Sequence, residues 1–447
     1  MSLARVTAAA GARAATFAVG NVFAGAARQS QRSEKQLHTQ LGALSQELGQ
    51  LKGSVMKAGQ MLSMLGEYFL PPEANALLKG LQNRSPPMAW PVIHEQLVRE
   101  LPAAALAHLE IDSTPTAAAS LGQVHRAVDR RSGRALALKV QYPGVRKAIG
   151  SDLRALRAML KLGRLLPKGP DYDSLFAEVK QMLEQEADYR LERRLTETFA
   201  DRLAGDHRYV VPQVAPEFCS ERVLATSWED GLAPDSAEVA ALPDSRRNAL
   251  GAHALSLYMR ELWQLGMVQT DPHFGNYRVR LDPAGQADQL ILLDFGATRA
   301  VSPRYLAGYR QLVLGAVEAQ RDTMVAGGEA LGFLIPGDAP ERIDLFTRLC
   351  TLICEPFALP HRPDVRADLF DADGAYDWGR SDLPRRVARL GAQIVLNLSL
   401  RTPPREALFL DRKLGGTFIF LSMLKVRLRG RDILAQYLPL SLPDAQV

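Results

Sequence analysis

Cysteine is scarce in this sequence, with three residues in 447, at positions Cys219, Cys350 and Cys354. An odd and sparse count argues against a disulfide-stapled scaffold and indicates a reducing compartment. Cys350 and Cys354 are four residues apart in an apolar segment, which predicts that they share one buried helix face. A zinc site is disfavoured there, because no second cysteine pair accompanies them.

Long hydrophobic runs are also missing, since no stretch reaches the roughly 18 uncharged apolar residues that a membrane-spanning helix needs. Two shorter uncharged stretches come closest, Ala14–Ala27 and Leu414–Leu424. Either could lie in a membrane interface, because arginines follow both of them. For the first stretch, a frayed N-terminus and an organelle transit peptide remain alternatives. The second is expected to be a buried C-terminal helix.

Neither sign of charge dominates, because 54 basic residues face 49 acidic ones and leave a net charge of +5. With 47% hydrophobic and 23% charged residues, the chain is neither a disordered protein nor a membrane bundle. The small positive excess fits a phosphate-rich ligand or an anionic membrane surface, without identifying either. No nucleic-acid partner is expected.

At 447 residues the chain is too long for one compact core, and two or three lobes are expected. The apolar run Ala135–Val140 follows a polar turn, which predicts two antiparallel strands. Residues 277–281 and 290–294 predict a second hairpin. Ser174–Phe199 is predicted to be one long charged helix, and helices are expected elsewhere after Ser245. These patterns predict an α+β protein of two lobes with a cleft between them.

Four segments follow from this division. Residues 1–50 form a tail that could associate with a membrane, and residues 51–110 form a helical extension. Residues 111–230 form a strand-rich lobe, and residues 231–447 form a helical lobe.

The most informative segment is Asp271-Pro272-His273-Phe274-Gly275-Asn276, which the second hairpin and then Asp294-Phe295-Gly296 follow. Phosphoryl transfer from ATP requires oxygen ligands on magnesium, a carboxylate beside the nucleophile, and cations on the phosphates. An Asp with an Asn five residues later, and an Asp-Phe-Gly beyond, is the protein-kinase spacing. The two segments therefore predict all of these groups except the cations.

Lys139 is a candidate for one of the cations, because it lies at the end of an alternating apolar strand. An unpaired ammonium buried there would be costly, so a buried carboxylate or a phosphate is expected beside it. Taken alone, Lys139 could equally be a surface lysine at a strand end. The aspartates downstream favour contact with the α- and β-phosphates of a nucleotide.

An alanine-rich loop precedes this lysine, at the place where an ordinary kinase has a glycine-rich loop. Alanine keeps a close backbone approach to phosphates possible but makes positive backbone angles costly, so the loop should be stiffer. The residues expected to contact the nucleotide are Ala117, Ala118, Ala119, Ser120 and Gln123.

Several further motifs occur in a fixed order, and together they resemble the UbiB (AarF-domain) family of atypical kinases. They are Lys57-Ala58-Gly59-Gln60, Leu81 to Met88, the alanine-rich loop, Gln141-Tyr142-Pro143-Gly144-Val145, Glu186-Ala187-Asp188-Tyr189 and the Asp271–Asn276 loop. The resemblance extends from about Leu51 to Gly430. It implies an atypical protein-kinase-like two-lobed fold with an N-terminal helical extension.

The resemblance also implies roles for individual residues. Lys139 would pair with Glu192, and Asp271 would take the catalytic-loop position. Asn276 and Asp294 would hold Mg²⁺ for bound ATP. The remaining residues that the family places at the nucleotide or over the protein-substrate groove are Lys57, Gln60, Glu186 and Asp188.

For function, the resemblance implies an ATP- and Mg²⁺-dependent atypical kinase or ATPase that supports ubiquinone synthesis at a membrane. Anionic lipids, quinone-precursor lipids and quinone-biosynthesis proteins would be its partners besides ATP and ADP. It would be peripheral on the cytoplasmic side of a bacterial inner membrane, or on the matrix side in mitochondria. A nucleotide-gated scaffold that binds lipid or protein with little phosphotransfer remains the alternative.

Four positions depart from the family pattern. Phe274 replaces a proline in the catalytic loop, and Ser227 occupies a connector position where glutamate is common. Arg193 and Leu195 stand where the family tends to have alanine and asparagine. The departures leave Asp271, Asn276 and Asp294 in place.

Overall fold

The computed structural model describes residues 54–65, 74–75, 78, 87–119, 121–162, 166, 172–397 and 405–440. The predicted tail and its apolar run, Ser120, and the start of the Leu81–Met88 motif lie outside these residues. The described chain divides into two compact units. The first contains residues up to Arg194 together with Gln213–Trp228, and the second contains Leu195–Pro212 and the residues from Glu229 onward.

The elements of the first unit precede most of those of the second along the chain. In chain order they are α1 (Ser54–Leu65), α2 (Trp90–Glu100), α3 (Ala103–Ala107), β1 (Leu109–Ile111), β2 (Ala117–Ala119), β3 (Gly122–Asp129), β4 (Ala135–Gln141), α4 (Val145–Leu162), α5 (Tyr172–Glu186), α6 (Tyr189–Arg202), β5 (Tyr209–Val210) and β6 (Val223–Ser227). Of these, β5 belongs to the second unit, and α6 begins in the first unit and ends in the second.

One antiparallel sheet forms the centre of the first unit. Its strands run in the order β1-β3-β4-β6, and β2 pairs with the start of β3. The β3–β4 pairing confirms the predicted hairpin and sets Lys139 opposite Val124. Gly122 is required at the turn, because a Cβ there would lie 2.3 Å from the carbonyl oxygen of Val140.

The predicted single helix over Ser174–Phe199 is wrong, because two helices occupy this region. Helix α5 ends at Glu186, and α6 begins at Tyr189. Asp188 separates them, and its carboxylate accepts a hydrogen bond of 3.0 Å from the backbone N–H of Leu191. An aspartate that caps a new helix in this way competes with continuation of the preceding one.

The second unit is mainly helical. After β6 its elements are α7 (Ala237–Ala240), α8 (Asp244–Arg260), β7 (Met267–Gln269), β8 (Tyr277–Arg280), β9 (Gln289–Leu292), β10 (Thr298–Ala300), α9 (Pro303–Val317), α10 (Arg321–Ala330), α11 (Pro340–Ile353), β11 (Tyr376–Asp377), α12 (Leu383–Asn397), α13 (Arg405–Met423), β12 (Arg427–Leu428) and α14 (Gly430–Ala435). One π-helical turn, Glu261–Leu265, continues α8.

Small sheets interrupt these helices in three places. The predicted hairpin is confirmed as β8–β9, and β5 adds to β9 in parallel. The pairs β7–β10 and β11–β12 were not predicted, because strands of two or three residues are too short to show an alternating pattern.

Two predictions about apolar segments can be compared with burial. The run Leu414–Leu424 lies mostly in α13, where Leu414, Phe418 and Leu421 are buried, so the predicted buried helix is confirmed. Cys350 and Cys354 are both buried, and burial raises the pKa of the Cys354 thiol to about 12. Within the described residues, no helix combines the length and the apolar character needed to cross a membrane.

Candidate active site

A buried ion pair joins the central strand of the first unit to α6. The Nζ of Lys139 donates to Oε1 of Glu192 over 2.6 Å. Lys139 lies on β4 between the fully buried Leu138 and Val140, so strand alternation turns it to the other face of the sheet. Glu192 is 2% exposed and lies in the first turn of α6, where the helix dipole favours a carboxylate. The pairing that the resemblance implied is present, and its role toward a nucleotide stays a prediction.

The alanine-rich segment forms the strand β2, which pairs with the start of β3. Ala117 and Ala118 are exposed and Ala119 is half-buried, so small side chains leave the backbone of this hairpin accessible. Gln123 differs from them, because its side chain is completely buried. Its Oε1 accepts a hydrogen bond of 2.8 Å from the N–H of Met88.

The geometry of Gln123 therefore gives no support to the nucleotide contact predicted for it. Its side-chain amide also lies 2.9 Å from Nε2 of His125. Through these contacts with Met88 and His125, the side chain of Gln123 connects the segment before α2 to the sheet. Sequence patterns do not predict this contact, because it joins residues 35 positions apart.

Helix α1 contributes a second ion pair to the first unit. The Nζ of Lys57 lies 3.0 Å from Oε1 of Glu186, and both side chains are largely buried. Gln60 is half-buried one turn further along α1. Of the two acids predicted to meet Lys57 or the nucleotide, Glu186 thus meets the lysine, whereas Asp188 caps α6.

In the second unit, the predicted catalytic loop follows β7 and closes on itself. The side-chain amide of Asn276 donates to the carbonyl oxygen of Asp271 over 2.9 Å. The N–H of Gly275 donates to Nδ1 of His273 over 2.9 Å. Because its nitrogen is used within the loop, the Asn276 side chain presents its oxygen as the remaining polar atom.

Asp294 is brought to this loop by the β8–β9 hairpin. The strand register pairs Tyr277 with Leu292, and the N–H of Leu293 donates to the carbonyl oxygen of Asn276 over 2.9 Å. Asp294 accepts the N–H of Gly296 over 2.8 Å. An amide oxygen and a carboxylate on adjacent segments are hard oxygen donors, which is the ligand chemistry that Mg²⁺ prefers. The residues present therefore fit the predicted metal.

Comparison with known proteins agrees with these features. Residues 80–327, more than half of the chain, match the family described as "ABC1 atypical kinase-like domain". This chain belongs to the ABC1 atypical kinase-like family. The resemblance predicted from the ordered motifs is thereby confirmed.

Three relatives of this ABC1 chain are named atypical kinases. The mitochondrial COQ8 of Schizosaccharomyces pombe is 30% identical over 391 residues, which cover 87% of this chain and 61% of the relative. The mitochondrial COQ8B of Rattus norvegicus is 31% identical over 392 residues, which cover 87% of this chain and 70% of the relative. The mitochondrial COQ8 of Saccharomyces cerevisiae is 30% identical over 380 residues, which cover 84% of this chain and 72% of the relative. The ABC1 chain thus spans 61% to 72% of the length of these curated relatives.

A solved structure shares the fold of the ABC1 chain. It is the complex of Rv3197 with erythromycin from Mycobacterium tuberculosis, which matches with a TM-score of 0.58 and 24% identity. The match covers 92% of this chain and 98% of the other. The predicted α+β, kinase-like fold class is confirmed.

Two functional candidates of the ABC1 chain escaped prediction, and both lie on α13. The Nη2 of Arg412 donates to Oδ1 of Asp271 over 2.6 Å. The Nζ of Lys413 lies 3.1 Å from Oε2 of Glu261 and 3.2 Å from the hydroxyl of Tyr277. Adjacent basic residues in the middle of α13, directly before its apolar run, were the available signal, because buried cations need partners.

Helix α13 holds the catalytic loop by shape as well as by charge. At Gly416 a Cβ would lie 2.2 Å from Cβ of Pro272, so only glycine allows the loop to approach this closely. The ring of Phe274 meets Phe420 edge-on, with centroids 5.8 Å apart. Phe274, which departs from the family's proline, is therefore an anchoring residue for the loop.

The pair of Lys413 and Glu261 is almost fully buried behind this loop. Burial alone would lower the pKa of the Lys413 ammonium, but attraction to Glu261 and the contact with Tyr277 outweigh it and hold the pKa above its usual range. Glu261 also accepts the N–H of Gln269 at the end of β7, over 3.3 Å. The charged pair thus ties α13 and the turn after α8 to the strand that leads into the catalytic loop.

The other departures lie near structural contacts. The Oγ of Ser227, at the end of β6, accepts the N–H of Gln213 over 2.9 Å. Leu195 is half-buried and packs against the core of the second unit. Nothing in the described contacts explains Arg193.

Proposed function

We propose that this chain binds ATP with Mg²⁺ and transfers or hydrolyses its terminal phosphoryl group. The pair of Lys139 and Glu192, 2.6 Å apart, is the observation that carries the proposal. A strand lysine held by a helix carboxylate is the arrangement that a kinase must have in place for phosphoryl transfer. Membership of the ABC1 family and the loop geometry of the second unit support the same conclusion.

Each residue has a distinct task in this proposal. Lys139 binds the α- and β-phosphates, and Glu192 fixes the position of its ammonium. Asn276 and Asp294 hold Mg²⁺, which supplies neutralisation of phosphate charge when bound. Asp271 orients the attacking hydroxyl or water, and Arg412 positions the Asp271 carboxylate. The exposed backbone of Ala117–Ala119 lies at the phosphates.

The proposed function also assigns each segment of the chain to a part of a kinase-like fold. Residues 51–110 would be the helical extension that carries Lys57 and Gln60. Residues 111–230 would be the kinase-like N-lobe, and residues 231–447 the helical C-lobe.

The setting is proposed from the named relatives, which are mitochondrial COQ8 proteins. The chain would support synthesis of an isoprenoid quinone such as ubiquinone, as a peripheral protein at a membrane. In a bacterium this is the cytoplasmic side of the inner membrane, and in a mitochondrion the matrix side. Anionic lipids, quinone-precursor lipids and quinone-biosynthesis proteins would be its partners.

The test is Mg²⁺-dependent release of phosphate from ATP by highly purified full-length chain. Asp294→Asn should lower turnover by about two to three orders of magnitude, as loss of a main electrostatic stabiliser does. Asp373→Asn, an exposed change in the same unit, is the control and should leave turnover unchanged. Equal turnover in the Asp294 variant and the wild type would overturn the role assigned to it. Parallel assays with anionic liposomes and quinone-precursor mimics test the membrane setting, where stimulation is expected.

A nucleotide-gated scaffold is the second candidate, and the contact of Arg412 with Asp271 favours it. An arginine on the catalytic-loop carboxylate competes with a substrate hydroxyl for the same oxygen. In this case ATP would only shift the conformation that presents a lipid or protein partner. ATP binding without phosphate release, in preparations of the highest purity, would select this candidate over the first.

A further inference from the structure

The first unit contains a cavity that the proposed reaction does not use. Its volume is about 620 Å³, and its walls are α2, the end of β4, the start of α4 and the turn before β6. Gln141, Pro143 and Gly144, which belong to a motif noted in the sequence, line one side of it. The volume is within the range of roughly 300–1,000 Å³ typical of small-molecule sites.

The start of α4 opens into this cavity without a cap. Gly144, just before the helix, has a φ of +76° and no side chain that could accept from the first turn. The backbone N–H groups of Arg146 and Lys147 donate no hydrogen bond within the part of the chain that the structure describes. Free N–H groups and the helix dipole together make such an end positive.

The charges at this helix end are the reverse of the usual ones. The first turn of α4 has no acidic residue, and it carries Arg146 and Lys147 instead. Cations beside a helix N-terminus are unfavourable, whereas an anion is favoured there. The 18 residues of α4 give the dipole its full length.

Gln96 provides an independent sign of a ligand. It lies on α2, lines the cavity and is only 4% exposed. Its side-chain amide makes no hydrogen bond to any residue that the structure describes. The amide of this largely buried side chain is therefore open to the cavity, where a ligand oxygen could accept its N–H.

The remaining charges leave the cavity positive. Two acidic side chains line it, and both are neutralised, Glu100 by Arg222 at 2.5 Å and Glu221 by Arg146 at 2.9 Å. Lys147 is exposed and has no ion-pair partner among the described residues. An incoming anion would therefore meet an uncommitted ammonium, two free backbone amides and the amide of Gln96.

We propose that this cavity binds a phosphate or diphosphate ester, with the phosphate at the start of α4 and the amide of Gln96 beside it. Phosphate groups bind readily at helix N-termini, because N–H groups and the dipole act together. The cavity is larger than one phosphate, so an organic group of the ligand occupies the rest. The site does not depend on ATP turnover, and binding alone tests it.

The experiment uses calorimetric titration of the full-length chain with inorganic phosphate and with pyrophosphate, and co-sedimentation with vesicles. The vesicles contain phosphatidylcholine alone or with phosphatidic acid. Lys147→Glu and Gln96→Leu should each weaken binding by about ten-fold or more, because they remove a charge-assisted or buried donor. Arg154→Glu, the same charge change at an exposed position of α4, is the control and should alter affinity less than about two-fold.

The probes distinguish the sources of the phosphate. Binding of phosphate or pyrophosphate with this variant pattern supports a soluble ligand, and binding of phosphatidic acid vesicles alone supports a lipid headgroup. Binding of none of the probes would overturn the proposal. The proposal would also be wrong if Arg154→Glu and Lys147→Glu weakened binding equally. It would be wrong as well if Lys139→Met abolished binding while Lys147→Glu left it intact.

Discussion

Arg412 Nη2 lies 2.6 Å from Oδ1 of Asp271, so a helix near the C-terminus holds the carboxylate of the catalytic loop. Both side chains are about one-fifth exposed. The loop from Asp271 to Asn276 contains neither lysine nor arginine. Arg412 therefore places a cation beside Asp271 from 141 residues away in sequence.

We expect Arg412→Gln to lower kcat for ATP turnover by about ten- to a hundred-fold and to change KM for ATP little. The variant leaves Asp271 without its positioning partner, which affects the transition state more than ground-state binding. Arg412→Lys should recover only part of kcat, because an ammonium lacks the fixed fork of the guanidinium.

The control for this prediction is Arg260→Gln. Arg260 and Asp206 form a pair of similar exposure in the same unit, 2.9 Å apart. If Arg412 had only a structural role, Arg412→Gln and Arg260→Gln would have the same kcat and KM as each other. They would also lose similar amounts of stability. The pH dependence of kcat should change only in the Arg412 variants.

Lys57 and Glu186 should be energetically coupled, since their charges lie 3.0 Å apart and largely out of water. A double-mutant cycle with Lys57→Met and Glu186→Gln, followed by urea unfolding, should give a coupling free energy of about 1–3 kcal/mol. The exposed pair Lys180 and Glu184 is the matched control and should give less than about 0.5 kcal/mol. Equal coupling in the two pairs would mean that α1 is not fixed by this contact.

Lys413→Met should destabilise the second unit, because it leaves Glu261 buried without a counter-charge. The expected loss is about 3–5 kcal/mol in the free energy of unfolding. Adding Glu261→Gln should recover part of the loss, since the uncompensated charge disappears. A loss below 1 kcal/mol for Lys413→Met, measured by urea denaturation, would contradict a charged pair at this position.

His253 should make stability depend on pH. Burial lowers the pKa of its imidazole to about 4, and Nδ1 has no hydrogen-bond partner among the described residues. Between this pKa and the ordinary value of about 6.5, the unfolded chain binds more protons, so folding stability falls as pH falls. The contribution is fully present above pH 6.5 and lost toward pH 4, and it amounts to about 2 kcal/mol after allowance for solvent screening.

The measurement is the free energy of unfolding of wild type and His253→Gln between pH 7.5 and pH 4.5. Glutamine does not titrate, so the variant should lose less stability on acidification than the wild type does. Parallel pH profiles for the two proteins would show that His253 is not buried in its neutral form.

Local patterns were enough to predict the parts of the site that depend on neighbouring residues. The alternating strand predicted the position of Lys139, and the predicted hairpin placed Asp294 close to Asn276. Contacts between distant elements could not be predicted in this way. No period or turn signal connects Arg412 with Asp271, because their meeting depends on the packing of α13.

The wrong prediction of one long helix over Ser174–Phe199 has an equally physical cause. The helical pattern continues through Ala187 and Asp188, so only the capping hydrogen bond of Asp188 reveals the break. The nucleotide contact of Gln123 stays a prediction, made from its place in the alanine-rich loop. Strand alternation turns its side chain inward, where Met88 occupies it.

The most direct test of the central claim is the affinity of the full-length chain for ATP, measured by calorimetry with and without Mg²⁺. The account predicts that Lys139→Met weakens binding of Mg–ATP by about ten-fold or more, through loss of a charge-assisted phosphate contact. It also predicts that Asp294→Asn removes the gain in affinity that Mg²⁺ gives the wild type. If both variants bound Mg–ATP as the wild type does, these residues would not hold a metal-bound triphosphate, and the proposed function would be wrong.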